Sequence, residues 1–215
     1  IELKKILPDN LTELYNIIYT SKEPEWTKFN APYFNEFKFL DLDTFLLKNH
    51  NEFFLSDRVL GIFVNNNLVG IVTKHWESFI TRWLEVGIVI YNEDYWSKGI
   101  GEKALKEWFD ICFKEHPEIA RLGLTTWSGN IGMIKLSEKL GLKLEARIRK
   151  VRYYNGVYYD SVKYGILREE FNKLTLITDK YNVQFGDKNK EVTLTAGYYE
   201  TSRARVSYHR YYNYY

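Results

Sequence analysis

The stretch of sequence that decides the fold is Arg82-Trp-Leu-Glu-Val-Gly-Ile-Val-Ile-Tyr-Asn-Glu-Asp-Tyr-Trp-Ser-Lys-Gly-Ile-Gly-Glu-Lys-Ala-Leu105. It predicts a buried strand, a glycine turn and the start of a helix, in that order. The segment from Val86 to Ile90 is apolar and β-branched apart from Gly87, a composition typical of a strand inside a sheet. Gly99 and Gly101 then lie where the chain turns toward the helix.

The residues after this turn repeat with the period of a helix. From Lys103 onward one predicted helical face carries Leu105, Trp108, Phe109, Cys112 and Phe113. Glycines at a strand-to-helix turn let backbone N–H groups approach a phosphate, and the helix N-terminus adds a favourable dipole. The stretch therefore predicts a cofactor with a pyrophosphate group, although Gly-x-Gly turns also begin ordinary helices. The turn does not match the Gly-x-Gly-x-x-Gly motif, because Ala104 stands at the position of the third glycine. It does not match a P-loop either, because no Gly-Lys-Ser/Thr is present.

The composition excludes several classes of protein. The chain has 215 residues and a formal net charge of +2, which predicts one domain with an appendage and no nucleic-acid or membrane partner. The single cysteine, Cys112, excludes a disulfide framework and is expected to fill the core. No apolar stretch reaches the ~20 residues that a membrane helix needs. No signal peptide is visible after Ile1, so we expect a cytoplasmic protein.

Three motifs, in this order, resemble one family. The first runs from Tyr95 to Gly101, the second from Asn130 to Leu142 with Glu-Lys-Leu-Gly near its end, and the third from Arg149 to Leu167 with Asn155-Gly156 as a hairpin turn. They resemble the GNAT superfamily of acyl-CoA-dependent N-acyltransferases, in the branch similar to ribosomal-protein N-terminal acetyltransferases. Trp96 stands where most of the family has Arg or Gln, which is common in this branch. The resemblance covers residues 1–171.

The resemblance implies an α/β (α+β) fold with a GNAT-like mixed, mostly antiparallel central sheet and flanking helices. It implies an N-acetyltransferase that uses acetyl-CoA as cosubstrate and no metal. The acetyl group moves to a primary amine, at a peptide or protein N-terminus or on a small molecule, by direct attack on the thioester. A polyamine (spermidine-type) acetyltransferase and a non-catalytic acyl-CoA-binding protein are the alternatives, and a homodimer is left open.

Glu85 is the candidate general base, because the resemblance implies a glutamate at its offset of 14 residues before Gly99. Trp83 and Gly87 are expected on the same side of the strand as Glu85. A solvated carboxylate, or one paired with Arg82 or Lys74, is the structural alternative. His75 is a second candidate base, because imidazole exchanges protons near neutral pH.

The cofactor-binding residues follow from the turn and from the resemblance. The turn predicts that pyrophosphate is bound by backbone N–H groups of Ser97, Lys98, Gly99, Ile100 and Gly101, with the Lys98 ammonium as a charge partner. The resemblance adds a backbone N–H near Val89 for the thioester carbonyl and a contact from Asn130 to the coenzyme or to the separated strand. Helix capping is the structural alternative for Asn130.

Ser137 occupies the position where many members of the family have a tyrosine that protonates the leaving thiolate. The resemblance makes Ser137 a candidate catalytic residue that acts through water. Two alternatives stay open: Tyr153 or Tyr154 substitutes for it, or the thiolate leaves unassisted because its reference pKa is only ~8.5.

Acceptor binding is assigned to the aromatic segment 23–39, with Trp26, Phe29 and Tyr33 as candidate substrate-binding residues. Glu23, Glu25, Asp41 and Asp43 supply negative charge for a cation, and ordinary core packing is the alternative for the aromatics. We place the acetyltransferase domain at 1–171 and a tyrosine-rich, β-hairpin-like extension at 172–215, as a sheet-edge cover or as a surface for a partner.

Overall fold

The computed structural model describes residues 1–34 and 36–181, with the side chains of these residues up to 175. The compact unit Ile1–Leu176 contains the whole described sheet. The predicted hairpin at 182–215 lies outside the described residues. A helix spans Arg168–Tyr181, so residues 172–181 are helical, whereas the sequence analysis placed them in the β-rich extension.

The described residues form one seven-stranded sheet. Its strands are β1 Glu2–Lys4, β2 Val59–Val64, β3 Asn67–Ser78, β4 Trp83–Ile90, β5 Arg121–Trp127, β6 Lys143–Tyr154 and β7 Val157–Leu167. The order across the sheet is β1-β2-β3-β4-β5-β7-β6, and only the β4–β5 pair is parallel. The expected mixed, mostly antiparallel sheet is therefore confirmed.

Six α-helices accompany the sheet in the described residues: α1 Leu11–Ile18, α2 Leu42–Phe45, α3 Lys48–Asn51, α4 Ile100–Glu115, α5 Ile131–Lys139 and α6 Arg168–Tyr181. α2 and α3 are two short helices that follow one another closely. Asp41 caps α2 by accepting a hydrogen bond from the Thr44 amide at 2.8 Å, and Leu47 is extended, which ends the first helix and begins the second. None of the described helices is both long and apolar enough to cross a membrane.

Each face of the sheet has its own apolar core. The predicted face of α4 is buried as expected, with Leu105, Trp108, Phe109, Cys112 and Phe113 against one face of the sheet. On the opposite face, the buried side chains of α1 and α2 pack over Ile71 and Phe63. The second core covers only the β1–β4 half of its face. Polar side chains can therefore contact one another on the rest of this face, over β5 and β7.

The sheet opens between β4 and β5. These strands pair at two rungs only, Leu84 with Leu122 and Glu85 with Gly123. β4 nevertheless stays paired with β3 up to Ile90. From Val86 onward the two halves of the sheet therefore diverge, and they leave a cleft whose base lies at Glu85.

Candidate active site

The glycine turn leaves the first amides of α4 without a cap. Gly99 is the N-cap residue with φ of 75°, in the left-handed region, and no side chain bonds the helix end. The amides of Ile100, Gly101 and Glu102 have no carbonyl partner within the helix, because the first turn of any helix lacks one. Trp96 fixes the turn on β4 by donating its indole N–H to the Ile90 carbonyl at 2.8 Å.

This turn fits a phosphate group. Apart from Gly99 and its two neighbours, no atom of the described residues lies within 4 Å of the place where a Cβ on Gly99 would stand, so the space in front of the backbone is open among them. Glu102, the nearest carboxylate on the helix, is held by Lys139 of α5 at 2.6 Å. Lys98 is exposed on the turn. The helix dipole and the uncapped amides therefore face open space from which the acidic side chain is turned away.

The strand register shows which backbone amides near Val89 face the cleft. The Tyr91 N–H bonds the Val69 carbonyl of β3 at 3.0 Å. Since N–H groups alternate in direction along a strand, the amide of Val89 also points to β3. The nearest amides that point the other way, into the cleft, are those of Ile88 and Ile90.

Glu85 is buried and hydrogen-bonded at the base of the cleft. Its side chain is 1% exposed. The Trp83 indole N–H donates to Oε1 at 3.1 Å, and the Thr125 hydroxyl donates to Oε2 at 2.6 Å. The Lys163 ammonium lies 3.6 Å from Oε1. The solvated alternative is therefore wrong, whereas the expectation that Trp83 shares the side of Glu85 is confirmed.

The two cations proposed as alternative partners of Glu85 bond elsewhere. Lys74 pairs with Glu115, and Arg82 donates to the Glu118 carbonyl at 3.4 Å. Thr125 and Lys163, which do contact the carboxylate, were not foreseen from the sequence. They are paired across β5 and β7, and only that long-range pairing brings them to Glu85.

His75 lies directly opposite Glu85 on β3. Its Nε2 is 3.5 Å from a carboxylate oxygen of Glu77, and the ligand-type atoms of His75, Glu77 and Glu85 lie within 4.8 Å of one another. Histidine and carboxylates are metal-ligand types. In this structure the cation beside Glu85 is the ammonium of Lys163. The His75 side chain is 54% exposed.

Phe29 and Tyr33 lie against residues from both sides of the cleft. The Phe29 ring stands edge-on to Trp96 at 5.5 Å, and its carbonyl accepts a hydrogen bond from the Trp127 indole at 3.0 Å. Tyr33 stands edge-on to Trp127 at 5.5 Å. Trp26, by contrast, donates to the Ile18 carbonyl at 3.1 Å and packs into the core below α1. The structure thus brings two of the three predicted acceptor residues to the cleft.

Asn130 caps α5, which is the structural alternative for this residue, and it also contacts the aromatic segment. Its side-chain oxygen accepts from the Met133 amide at 3.0 Å and caps α5, and its amide donates to the Phe29 carbonyl at 3.2 Å. Ser137 is fully buried, and its hydroxyl donates to the Met133 carbonyl at 2.8 Å. The Ser137 hydroxyl therefore already donates its proton to a carbonyl of its own helix, α5. Of the two alternative tyrosines, Tyr154 packs 6.4 Å from Trp127 and Tyr153 is exposed.

Comparison with known proteins identifies the family. The family described as acetyltransferase (GNAT) domain matches residues 2–143. The chain belongs to the GNAT acetyltransferase family. The opened β4–β5 pair and the glycine turn of α4 both lie within the matched region of this GNAT domain.

Individual GNAT relatives are more distant. A prophage-derived, uncharacterized N-acetyltransferase of Bacillus subtilis, YokL, is 28% identical over 114 residues, which is 53% of this chain and 63% of that protein. The chain thus matches less than two thirds of this relative's length. The spermidine N-acetyltransferase of Vibrio cholerae, solved with CoA and spermine, has a TM-score of 0.63 at 18% identity over 80% of this chain and 97% of its own. The ribosomal α-N-protein acetyltransferase RimL, solved with coenzyme A, gives 0.62 at 16% over 77% and 92%.

Proposed function

We propose that the chain is an acetyl-CoA-dependent N-acetyltransferase that moves an acetyl group to a primary amine by direct attack on the thioester. The observation that carries this proposal is the position of Glu85. A buried carboxylate lies at the last rung before β4 and β5 separate, and the cleft leads from it toward the uncapped amides of α4.

The backbone from Ser97 to Gly101 holds the pyrophosphate of the coenzyme, and Lys98 adds a positive charge. Acetyl-CoA supplies an activated acyl thioester when it is bound. The cleft-facing amides of Ile88 and Ile90 are placed to donate to the thioester carbonyl, where negative charge develops during attack.

Glu85 removes, through water, one proton from the acceptor ammonium before attack and a second from the same nitrogen as the amide forms. Alkyl ammonium groups have a pKa near ~10.4, so a base is needed at neutral pH. Ile88 is three residues from Glu85, about 10 Å along a strand, too far for direct contact between the carboxylate and an amine at the thioester. His75 then takes the proton from the buried carboxylate to solvent.

The departing thiolate needs no acid from the protein. A thiol with a pKa near ~8.5 leaves readily as the anion. Ser137 therefore has no proton-transfer role in this mechanism, and its buried hydroxyl only donates a hydrogen bond within α5.

The charge around the acceptor side favours a peptide or protein N-terminus over a polyamine. The Arg152 guanidinium lies 5.2 Å from the ring centre of Tyr33. This cation would face the additional charges of a polyamine and repel them. A polyamine acceptor, suggested by likeness to the spermidine enzyme, remains the second candidate. Replacing Arg152 should affect the turnover of polyamines and peptides differently.

The test is acetyl-CoA-dependent thiol release with peptides of different N-termini, polyamines, aminoglycosides and amino acids, and products identified by mass. We expect turnover with peptides. Glu85→Gln should lower kcat by about 10²–10⁴-fold and leave coenzyme A affinity unchanged. The control is Glu107→Gln, an exposed carboxylate on α4. Arg152→Gln should improve polyamine turnover if any is present.

Two outcomes would count against the proposal. Tight coenzyme A binding without turnover of any acceptor would favour the acyl-CoA-binding alternative. Full activity of Glu85→Gln would remove Glu85 as the base.

A further inference from the structure

An ion pair lies flat on the sheet beside Glu85. Arg121 donates through Nε to both carboxylate oxygens of Glu145, at 3.0 and 2.9 Å. A Cβ on Gly123 would collide with the Arg121 guanidinium, and a Cβ on Gly165 would collide with the Glu145 carboxylate. Gly123 and Gly165 are paired across β5 and β7. The two glycines thus make room for the ion pair against the backbone.

This ion pair is part of the wall of a cavity. The cavity has a volume of about 410 Å³, within the range of small-molecule sites. Its charged and aromatic wall consists of Arg82, Trp83, Glu118, Arg121, Glu145 and Lys163. It lies at the end of β4 and β5 where the strands begin, on the opposite side of Glu85 from the cleft.

The cavity has cationic groups to offer a ligand. Glu145 is already bonded by Arg121, and Glu118 faces the His116 ring at 3.4 Å. Arg82 is exposed, and its hydrogen bond to a backbone carbonyl does not neutralise its charge. The Arg121 guanidinium packs against Gly123 and bonds Glu145, so Arg82 and the partly exposed Lys163 are the cations of this wall that a ligand can reach.

Two residues of the cavity wall also contact Glu85, the proposed general base. Trp83 donates its indole N–H to Glu85, and the Lys163 ammonium lies 3.6 Å from the same carboxylate. The Lys163 ammonium also lies 5.3 Å from the ring centre of Trp83. A ligand that contacts Lys163 from the cavity therefore competes with Glu85 for one cation.

We propose that this cavity binds a carboxylate or phosphate group through Lys163 and Arg82, and that Lys163 couples its occupation to Glu85. The binding itself is independent of the proposed acetyl transfer, and the coupling rests on that function. An anion that draws Lys163 away leaves Glu85 without its cation. The attraction between Lys163 and the Glu85 carboxylate is then lost, so the base step and kcat respond.

Binding is measured first, by titration calorimetry with inorganic phosphate and with succinate. We expect saturable binding of one of them to the intact chain. Arg82→Asn should weaken it by about fivefold or more, the size of one charge pair near the surface. Asparagine suits this position because Arg82 has a φ of 57°. Arg58→Asn is the matched control, since Arg58 is exposed and lies outside the cavity wall.

The anion can be a free molecule or part of the acceptor, and kinetics separate the two sources. A free anion should change kcat without competing with the acceptor. If the group belongs to the acceptor, peptides with an Asp in their first residues should have a lower KM than their Asn counterparts. Phosphate or succinate should then compete with them. Arg82→Asn should abolish either effect, because it removes one of the two cations that hold the anion.

Two results would overturn the proposal. One is the absence of binding heat for both anions at tens of millimolar. The other is equal anion affinity in the intact chain, Arg82→Asn and Lys163→Met. Because calorimetry needs no turnover, failure of the cavity proposal and failure of the proposed enzyme activity are distinguishable.

Discussion

Trp127 on β5 donates its indole N–H to the carbonyl of Phe29 at 3.0 Å, across 98 residues of sequence. Asn130 donates to the same carbonyl at 3.2 Å, and the Phe29 ring contacts Trp96 after β4. A single residue of the acceptor segment is thereby held by both sides of the cleft. The position of the aromatic segment thus depends on the residues that surround the cleft opening.

Trp127→Phe keeps an aromatic ring and removes the donor. We expect the acceptor KM to rise severalfold, because the segment is less well positioned, and the free energy of unfolding to fall by about 1 kcal/mol. Trp26→Phe is the control, because it removes an equivalent indole bond, to Ile18, in the core below α1. Equal acceptor KM values in the two variants would show that the Trp127–Phe29 bond has no special part in positioning the acceptor segment, and would contradict this account.

Gly99→Ala and Gly156→Ala form a matched pair that tests the phosphate turn. Both glycines have φ near the left-handed minimum, 75° and 78°, and open space at the position that a Cβ would occupy. Each substitution should cost about 1 kcal/mol of folding free energy. Only Gly99→Ala should weaken coenzyme A binding, by about tenfold or more, because its methyl group enters the phosphate position. Equal coenzyme A affinities, measured by calorimetry, would place the pyrophosphate elsewhere.

His75→Gln tests the exit of the proton from Glu85. We expect kcat to fall by about tenfold or more at low buffer concentration, because the buried carboxylate loses its connection to solvent. Added imidazole should restore the rate in proportion to its concentration, a response that a structural role would not give. His50→Gln, an exposed histidine on α3, is the control. If imidazole has no effect on His75→Gln, the proton leaves by another route.

The Cys112 thiol should be inert in the native protein. Burial raises the pKa of this thiol to about 12, and only the thiolate reacts. A disulfide reagent at pH 8 should therefore modify Cys112 only after denaturation. Rapid modification of the native chain would contradict the burial seen on α4.

The same shift makes stability depend on pH. The pKa of the Cys112 thiol in the folded protein lies above its unfolded value of ~8.5, so its contribution to the free energy of unfolding is fully present below pH ~8.5. This contribution is lost as pH rises toward about 12, by up to ~1.4 kcal/mol per pH unit. Cys112→Ala should show a shallower decline of the free energy of unfolding between pH 9 and 10.5. An unchanged slope would separate the alkaline loss of stability from this thiol.

The elements with strong periodicity were predictable from the sequence. The buried face of α4 was correct because apolar spacing of three and four residues fixes one side of a helix. The turn at Asn155-Gly156 was correct because both residues tolerate positive φ. The length of β3 was harder to read, because its pairing with β4 continues past its apolar residues to Ser78.

The surroundings of Glu85 could not be predicted in the same way. Its position on the strand followed from an offset, but its partners come from β5 and β7, 40 and 78 residues later. The direction of the Val89 amide likewise depends on the register with β3. Both properties arise from long-range pairing, which a single sequence does not encode locally.

The two edges of the described sheet bear on how the protein behaves at high concentration. β1 is only three residues long, which offers little backbone to a second molecule. β6 is long, but it carries Lys143, Arg147, Arg149, Lys150 and Arg152 and has two register irregularities against β7. A second β6 laid alongside would bring like charges together on an uneven edge. This half of the sheet therefore resists uncontrolled growth into fibres, and its resistance should weaken as added salt screens those charges.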